Sequence, residues 1–421
     1  MSFLTSEIKK PLYWGLAWIF TFINFTAFIV SRNQTWIQNP GRAWMNASAT
    51  EFRNYPASDF ERTLSCYGFG QCQRIGGALI VQPIIFFGDF LSKFYYFDFN
   101  ENSQIFVIQM SGLAWRIFCI GFLGLIVHHF SLRLSVTLFF LNFLFLTLSG
   151  VILRGVGRLI DLLPISSSQS FAVRSTSAFR DFPFENLAWY DFGLFFAIAL
   201  IIYLVVNNLR EDISFKKLFL FGLFLTAFFE FLGFVFALSL VATLRSSKTV
   251  ARKSRIEMVK IFSAALVGTP LWLLLIYAYQ KIVKSNFPQF FTENFDDVQS
   301  RSDSLIWALK NPIANLISSP SLVLQIILTL IQCSVFAFIS GRIARKLFRF
   351  GEISSKFLLA TKSVMCSFIL ITLVTFFIAY GVNLLAGEHA RQTIGIQISL
   401  FMYLFFKSMT FPNKAEVEGF I

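Results

Sequence analysis

Apolar residues run for about twenty positions at a time along most of this chain, and short polar links separate the runs. A helix that crosses about 30 Å of hydrocarbon needs about 20 mainly apolar residues. Nine stretches meet that requirement: Pro11–Val30, Ile105–Val127, Leu132–Ile152, Leu187–Val206, Leu218–Val241, Ile261–Tyr279, Ser319–Ser340, Phe357–Leu385 and Thr393–Thr410. A tenth, Gly76–Tyr95, is interrupted by Gln82, Pro83, Gly88 and Asp89. The pattern predicts an all-α, polytopic membrane protein of about ten transmembrane helices, forming a single transmembrane domain over residues 1–421. No polar segment reaches the size of an ordinary soluble domain, which is typically about 50–250 residues.

Composition agrees with the pattern. Of 421 residues, 56% are hydrophobic and 14% charged, against roughly 45–50% and about 25% in soluble proteins. The first apolar stretch is too long for the core of a cleaved signal peptide, and Ser31-Arg32-Asn33 after it lacks the small residues of a cleavage site. A net charge of +13 would suggest nucleic acid in a soluble protein, but here the cations sit in links between apolar runs. One group is Arg245, Lys248, Arg252, Lys253, Arg255 and Lys260; a second is Arg342, Arg345, Lys346, Arg349 and Lys356. Such clusters mark cytoplasmic links and meet anionic lipid there. The expected partner is therefore membrane lipid rather than nucleic acid, and the expected location is the bacterial cytoplasmic membrane.

With both clusters inside, counting back through the spans places the turn around His128, His129 and Arg133 outside and Arg154, Arg158, Arg174 and Arg180 inside. One link fits the count poorly, because Arg210, Lys216 and Lys217 fall outside. If Gly76–Tyr95 crosses, residues 31–75 form an extracytoplasmic loop, residues 282–318 form a second one, and both chain termini are cytoplasmic. Lys9 and Lys10 before the first span favour that choice. Cys66 and Cys72 bracket two glycines in the first loop, spacing that suits a short disulfide if the loop is outside and two free thiols if it is inside.

Several chemistries are excluded by absence. The chain has no phosphate-binding Gly-x-x-x-x-Gly-Lys-Ser/Thr and no His-Glu-x-x-His, and its three histidines are too few for a multi-histidine metal centre. Charges inside the spans are the next candidates. Asp89, Arg116 and Glu230 lie in apolar stretches, where an unpaired ionised group costs at least about 2.5–3.5 kcal/mol. Two readings follow: a proton, ion or polar-substrate path through the bundle, or an Arg116–Glu230 pair that fixes helix packing.

The loop after the first span carries the sharpest polar constellation, Glu51, Tyr55 and Asp59-Phe60-Glu61-Arg62, with Arg53 nearby. An acidic-x-acidic step on extended chain puts both carboxylates on one side. Such a pair can serve as a general base or hold a divalent metal; it can equally be a solvated acidic pair. A first span from the inside, a long outside loop with Asp-x-Glu and many following helices resemble the GT-C-type glycosyltransferases. That resemblance implies a polyprenyl-phosphate-linked sugar as donor, used on the extracytoplasmic face. It implies Asp59 as catalytic base or metal-orienting carboxylate and Glu61 as its neighbour. Arg53 and Arg62 would contact donor phosphate, and Tyr55 a sugar face. The alternatives are a transporter or flippase using Glu230 and Arg116, and a structural subunit of a membrane complex.

Overall fold

The computed structural model describes residues 118–131, 133–148, 189–207, 214–228, 231–246, 255–272, 274–275, 278, 320–348, 353–379 and 393–410. Almost all of these residues are helical, and no strand occurs among them. The helices are α1 (Phe118–Ser131), α2 (Leu134–Leu148), α3 (Trp189–Asn207), α4 (Phe215–Phe228), α5 (Leu232–Ser246), α6 (Arg255–Leu266), α7 (Pro320–Phe348), α8 (Ser355–Ala379) and α9 (Ile394–Thr410). The all-α expectation holds for this part of the chain. Within it, Ser355–Thr372 in α8 is long and apolar enough to cross a membrane, while α1, α2, α5, α9 and residues Gly193–Asn207 of α3 are apolar but shorter.

Helix α9 is the centre of the bundle. Twelve of its 17 residues are buried, including Phe401, Met402, Phe405 and Phe406. Helices α2, α3, α7 and α8 all pack against it, α7 most extensively. The α7 side of that contact is a row of small residues, Cys333, Ala337, Ser340, Gly341 and Ala344, each without exposed surface. A Cβ on Gly341 would run into Ser408 Oγ and the Phe405 carbonyl. Close backbone approach of this kind lets dispersion contacts accumulate along the whole interface.

Contacts fix the direction of each helix. Cys333 meets the Gln397 carbonyl (3.2 Å) and Gly341 meets Phe405, so α7 and α9 run parallel. Phe357 packs on Phe406 and Phe368 on Gly395, so α8 runs against α9. Arg133 donates to the Phe348 carbonyl and Gln332 to the Thr147 carbonyl (3.4 Å), so α2 runs against α7. A two-residue link after Ser131 forces α1 and α2 into an antiparallel hairpin, with Gly124 facing Leu141. Phe122 beside Phe196 and His129 beside Tyr203 make α1 and α3 parallel.

Two expectations change here. The turn at His128, His129 and Arg133 and the Arg342–Lys356 connection were expected on opposite sides, yet the Arg133 contact to Phe348 places them at one end of the bundle. The reason lies in Leu218–Val241, expected as a single span. In a continuous helix Thr226 and Gly233 would be about 10 Å apart along the axis, but a Cβ on Gly233 would lie 2.7 Å from Thr226 Oγ1. The chain therefore doubles back between α4 and α5. Gly222 meets Ala265 and Thr226 meets Thr269, so α4 and α6 run parallel. Gly233 also meets Thr269, and α5 packs along α6, which is only possible if α5 returns in the opposite direction.

Two helical glycines give a contrast in substitution tolerance. At Gly222 an added Cβ runs into the Ala265 carbonyl, whereas at Gly121 nothing lies within 4 Å. Gly222→Ala is expected to destabilise the purified protein by about 2 kcal/mol or more, and Gly121→Ala to stabilise it by about 0.5–1 kcal/mol through helix propensity. Thermal unfolding of the two variants checks both signs.

Candidate functional site

The sequence candidates Arg53, Tyr55, Asp59, Glu61, Arg62, Cys66, Cys72, Asp89, Arg116 and Glu230 lie outside the described residues, as do the loops 31–75 and 282–318. What the structure does place is the framework on either side of Glu230, which in sequence falls between the end of α4 and Phe231.

That framework is a deep, tightly crossed corner. Helix α4 starts beside the end of α3 and descends: Phe224 packs on Phe196, and Phe231 packs on Phe368. Phe368 lies about 20 Å along α8 from its first residue, so the bend sits far from the end where α4 begins. Three glycines allow the crossing, Gly222 against Ala265, Gly268 against the Leu223 backbone, and Gly233 between the two threonine hydroxyls. Larger residues would push the helices apart and open the corner.

The corner is also polar. Thr226 and Thr269 are buried, with 0% and 1% of their surface exposed. The Thr226 hydroxyl donates to the Gly222 carbonyl at 2.8 Å, and the two hydroxyls are 2.9 Å apart. Each hydroxyl has one proton, so Thr269 is the donor to Thr226. The arrangement ties α4 to the helical turn at 268–272 that continues α6, through a hydrogen bond in apolar surroundings, where an unmet hydroxyl is costly. Next to this pair, α4 ends and α5 begins. Helix ends leave backbone carbonyl and N–H groups without intrahelical partners, so the corner brings both polarities of helix terminus to one deep position. The first turn of α5 is closed by Val235 N–H donating to the Phe231 carbonyl at 3.1 Å.

Sequence reasoning singled out Glu230 and missed Thr226, Thr269, Gly222 and Gly268. The available signal was small residues at helical spacing inside apolar runs, Gly222-x-x-x-Thr226 and Ala265-x-x-Gly268-Thr269, the spacing that permits close helix crossing in membranes.

The opposite end of the bundle is basic. The end of α1, the start of α2, the end of α3, the start of α4, the end of α5, the start of α6, the end of α7, the start of α8 and the end of α9 all gather there. Arg133, Arg245, Arg345, Lys346, Lys356 and Lys407 come from five of these helix ends. Arg245, Arg345, Lys346 and Lys407 stand in last turns, where a cation meets the negative end of the helix dipole. Below them a chain of packed rings, Phe130 stacked on Phe357 (4.6 Å), Phe357 edge-on to Phe406 (5.1 Å) and Phe406 stacked on Phe140 (5.6 Å), joins α1, α8, α9 and α2.

Among the described residues, no group of three His, Cys, Asp or Glu side chains could hold a metal ion. Cys119 and Cys333 are buried free thiols and Cys366 an exposed one. They pack as small side chains, and Cys333 additionally donates to the Gln397 carbonyl. No family model, no curated protein and no solved structure matches the chain.

The hydroxyl pair makes a measurable coupling. Thr226→Val and Thr269→Val are each expected to cost about 1 kcal/mol, the scale of one buried hydrogen bond with its partner left unmet. The double substitution should cost less than the sum, since neither hydroxyl then remains stranded. Strict additivity in thermal or chemical unfolding would show that the pair carries no interaction energy.

Proposed function

We propose that the protein is a polytopic, all-helical membrane protein that passes a polar solute or a proton through its interior at the α4–α5 corner, as a transporter or flippase would. The observation that carries this reading is the break of an apolar run deep in the bundle, beside a buried hydroxyl pair and at the sequence position of Glu230. Transporters build sites from discontinuous helices whose ends meet near the midplane, because freed backbone groups and helix dipoles there can hold ions or polar groups. Membrane residence is supported by the apolar α8 segment and by α7. Ile327, Ile331, Val335, Phe338, Ile339 and Ile343 form an exposed apolar stripe on α7. The stripe spans about 24 Å, most of a hydrocarbon core.

The doubled-back α4–α5 unit removes the misfit at Arg210, Lys216 and Lys217, and by the same count it puts the link that carries Arg154, Arg158, Arg174 and Arg180, expected inside, on the outer side. With no net crossing between Phe215 and Ser246, Arg210, Lys216 and Lys217 join Arg133, the Arg245 cluster and the Arg342 cluster on the cytoplasmic side, and the C-terminus follows α9 to the same side. Single cysteines at Lys217, Arg245 and Lys346 are then expected to react alike: protected from an impermeant thiol reagent in intact cells and labelled after lysis. Opposite behaviour of Lys217→Cys and Arg245→Cys would mean that α4 and α5 form one crossing.

The sugar-transferase reading stands on Asp59 and Glu61, and the direction of α1 sets a condition on it that reverses the expected role of Gly76–Tyr95. Helix α1 runs toward the basic end, so its first residues face the outer side. Residues 31–75 then lie outside if Gly76–Tyr95 rests along the membrane instead of crossing it, the placement that a donor on the extracytoplasmic face requires. Paired variants separate the two readings. Glu230→Gln is expected to abolish solute or proton movement in proteoliposomes while leaving sugar transfer from a polyprenyl-phosphate donor unaffected. Asp59→Asn in a sugar transferase should instead reduce that transfer by at least about a hundredfold, the usual lower scale for losing acid–base catalysis.

A further inference from the structure

We propose that the basic end of the bundle is a docking surface for anionic phospholipid headgroups, which it binds in preference to zwitterionic ones. The inference rests on the membrane reading and adds the chemistry of the lipid. All the Lys and Arg side chains among the described residues fall at this end, within about three turns of a helix terminus. Of the two acidic residues described, Glu257 shares that end, while Asp191 begins α3 at the other. Lys216, Lys217, Arg255, Lys260 and Lys346 are exposed.

What selects a lipid as occupant is the collar beneath the cations. On α6, Ile256 and Val259 are 69% and 63% exposed, in the same two turns as Arg255 and Lys260. On α7, Phe338, Ile339 and Ile343 are exposed immediately before Lys346. Arg342 lies over the Phe338 ring and Lys407 over the Tyr403 ring, each 5.3 Å from the centroid. Long cationic side chains thus lie along apolar surface and carry their charge to its edge, as they do where hydrocarbon meets headgroups. A polynucleotide or an acidic protein would satisfy the cations and leave the aliphatic collar in water. A phospholipid satisfies both, its phosphate against the cations and its acyl chains against the collar. Each Lys or Arg near an anionic surface contributes about fivefold in affinity.

The test uses the full-length protein purified in neutral detergent and titrated with fluorescent phosphatidylglycerol or phosphatidylcholine of the same acyl chains. Phosphatidylglycerol is expected to bind at least about tenfold more tightly, with the preference shrinking as salt is raised. In the K216Q/K217Q/K346Q variant the preference should fall to about threefold or less while unfolding temperature in detergent stays unchanged. Equal affinity for the two lipids, or a preference indifferent to these substitutions, overturns the proposal. Tighter binding of an oligonucleotide than of phosphatidylglycerol overturns it in favour of nucleic acid. The membrane reading fails separately, if the chain expressed in cells remains in the aqueous fraction without detergent.

Discussion

Burial of α9 is the constraint on which the described fold depends. A helix with residues such as Ile398, Phe401, Phe405 and Phe406 fully enclosed has almost no face left for solvent or lipid, so its neighbours must surround it. Four helices do, and their directions follow from it: α7 parallel, α8 antiparallel, and α2 held against both α9 and α7. The small-residue row of α7 permits the closest of these approaches. Apart from the Cys333 bond to the Gln397 carbonyl, polar side chains in the α9 interface are met close by in sequence, Ser399 by the Gly395 carbonyl (2.7 Å), Ser408 by the Phe405 carbonyl (2.8 Å) and the Gln397 amide by Thr393 Oγ1 (2.9 Å). Hydroxyls that bond back to their own helix add no long-range specificity. The interface is therefore chosen by shape, with Gly341 and Gly395 deciding where the backbones can meet.

The α4–α5–α6 corner obeys the same rule with a different result. Glycines again admit close crossings, but here two threonines bond between helices, and the chain reverses at mid-depth. A helix of 14 or 15 residues is about 21–22 Å long, shorter than the roughly 30 Å of a hydrocarbon core, so neither α4 nor α5 is long enough to cross one alone. The start of α4 and the end of α5 lie at the basic end of the bundle, away from the corner. Only the inner ends then require partners within the bundle, at the place where Glu230 falls in the sequence. Polar groups in a low-dielectric interior carry high stakes, and their partners define what such a corner can hold.

The basic end connects both parts. Cations in the final turns of α5, α7 and α9 stabilise their own helices through the dipole, and they gather at one end of the bundle. Arg133 does this most directly, since its guanidinium closes on the exposed carbonyl end of α7 at Phe348. One side chain thus caps a helix and fastens the α1–α2 hairpin to it.

From sequence alone, the helical class, the positions of most apolar runs and the concentration of Lys and Arg in their links were legible, because hydrophobic length and charge are local quantities. The helices α2, α3, α8 and α9 begin within a few residues of the expected stretches. Residue counting could not see the reversal inside Leu218–Val241. That run contains no proline and only Gly222 and Gly233 as breakers, so its composition matches a continuous span. The reversal is decided by Gly222, Gly233 and Gly268 meeting across helices and by the Thr226–Thr269 bond, contacts that composition along the run does not register. One unseen reversal inverts the side assigned to every link beyond it. For that reason Arg133 and the Arg342 cluster, assigned to opposite faces by counting, come together only in the tertiary structure.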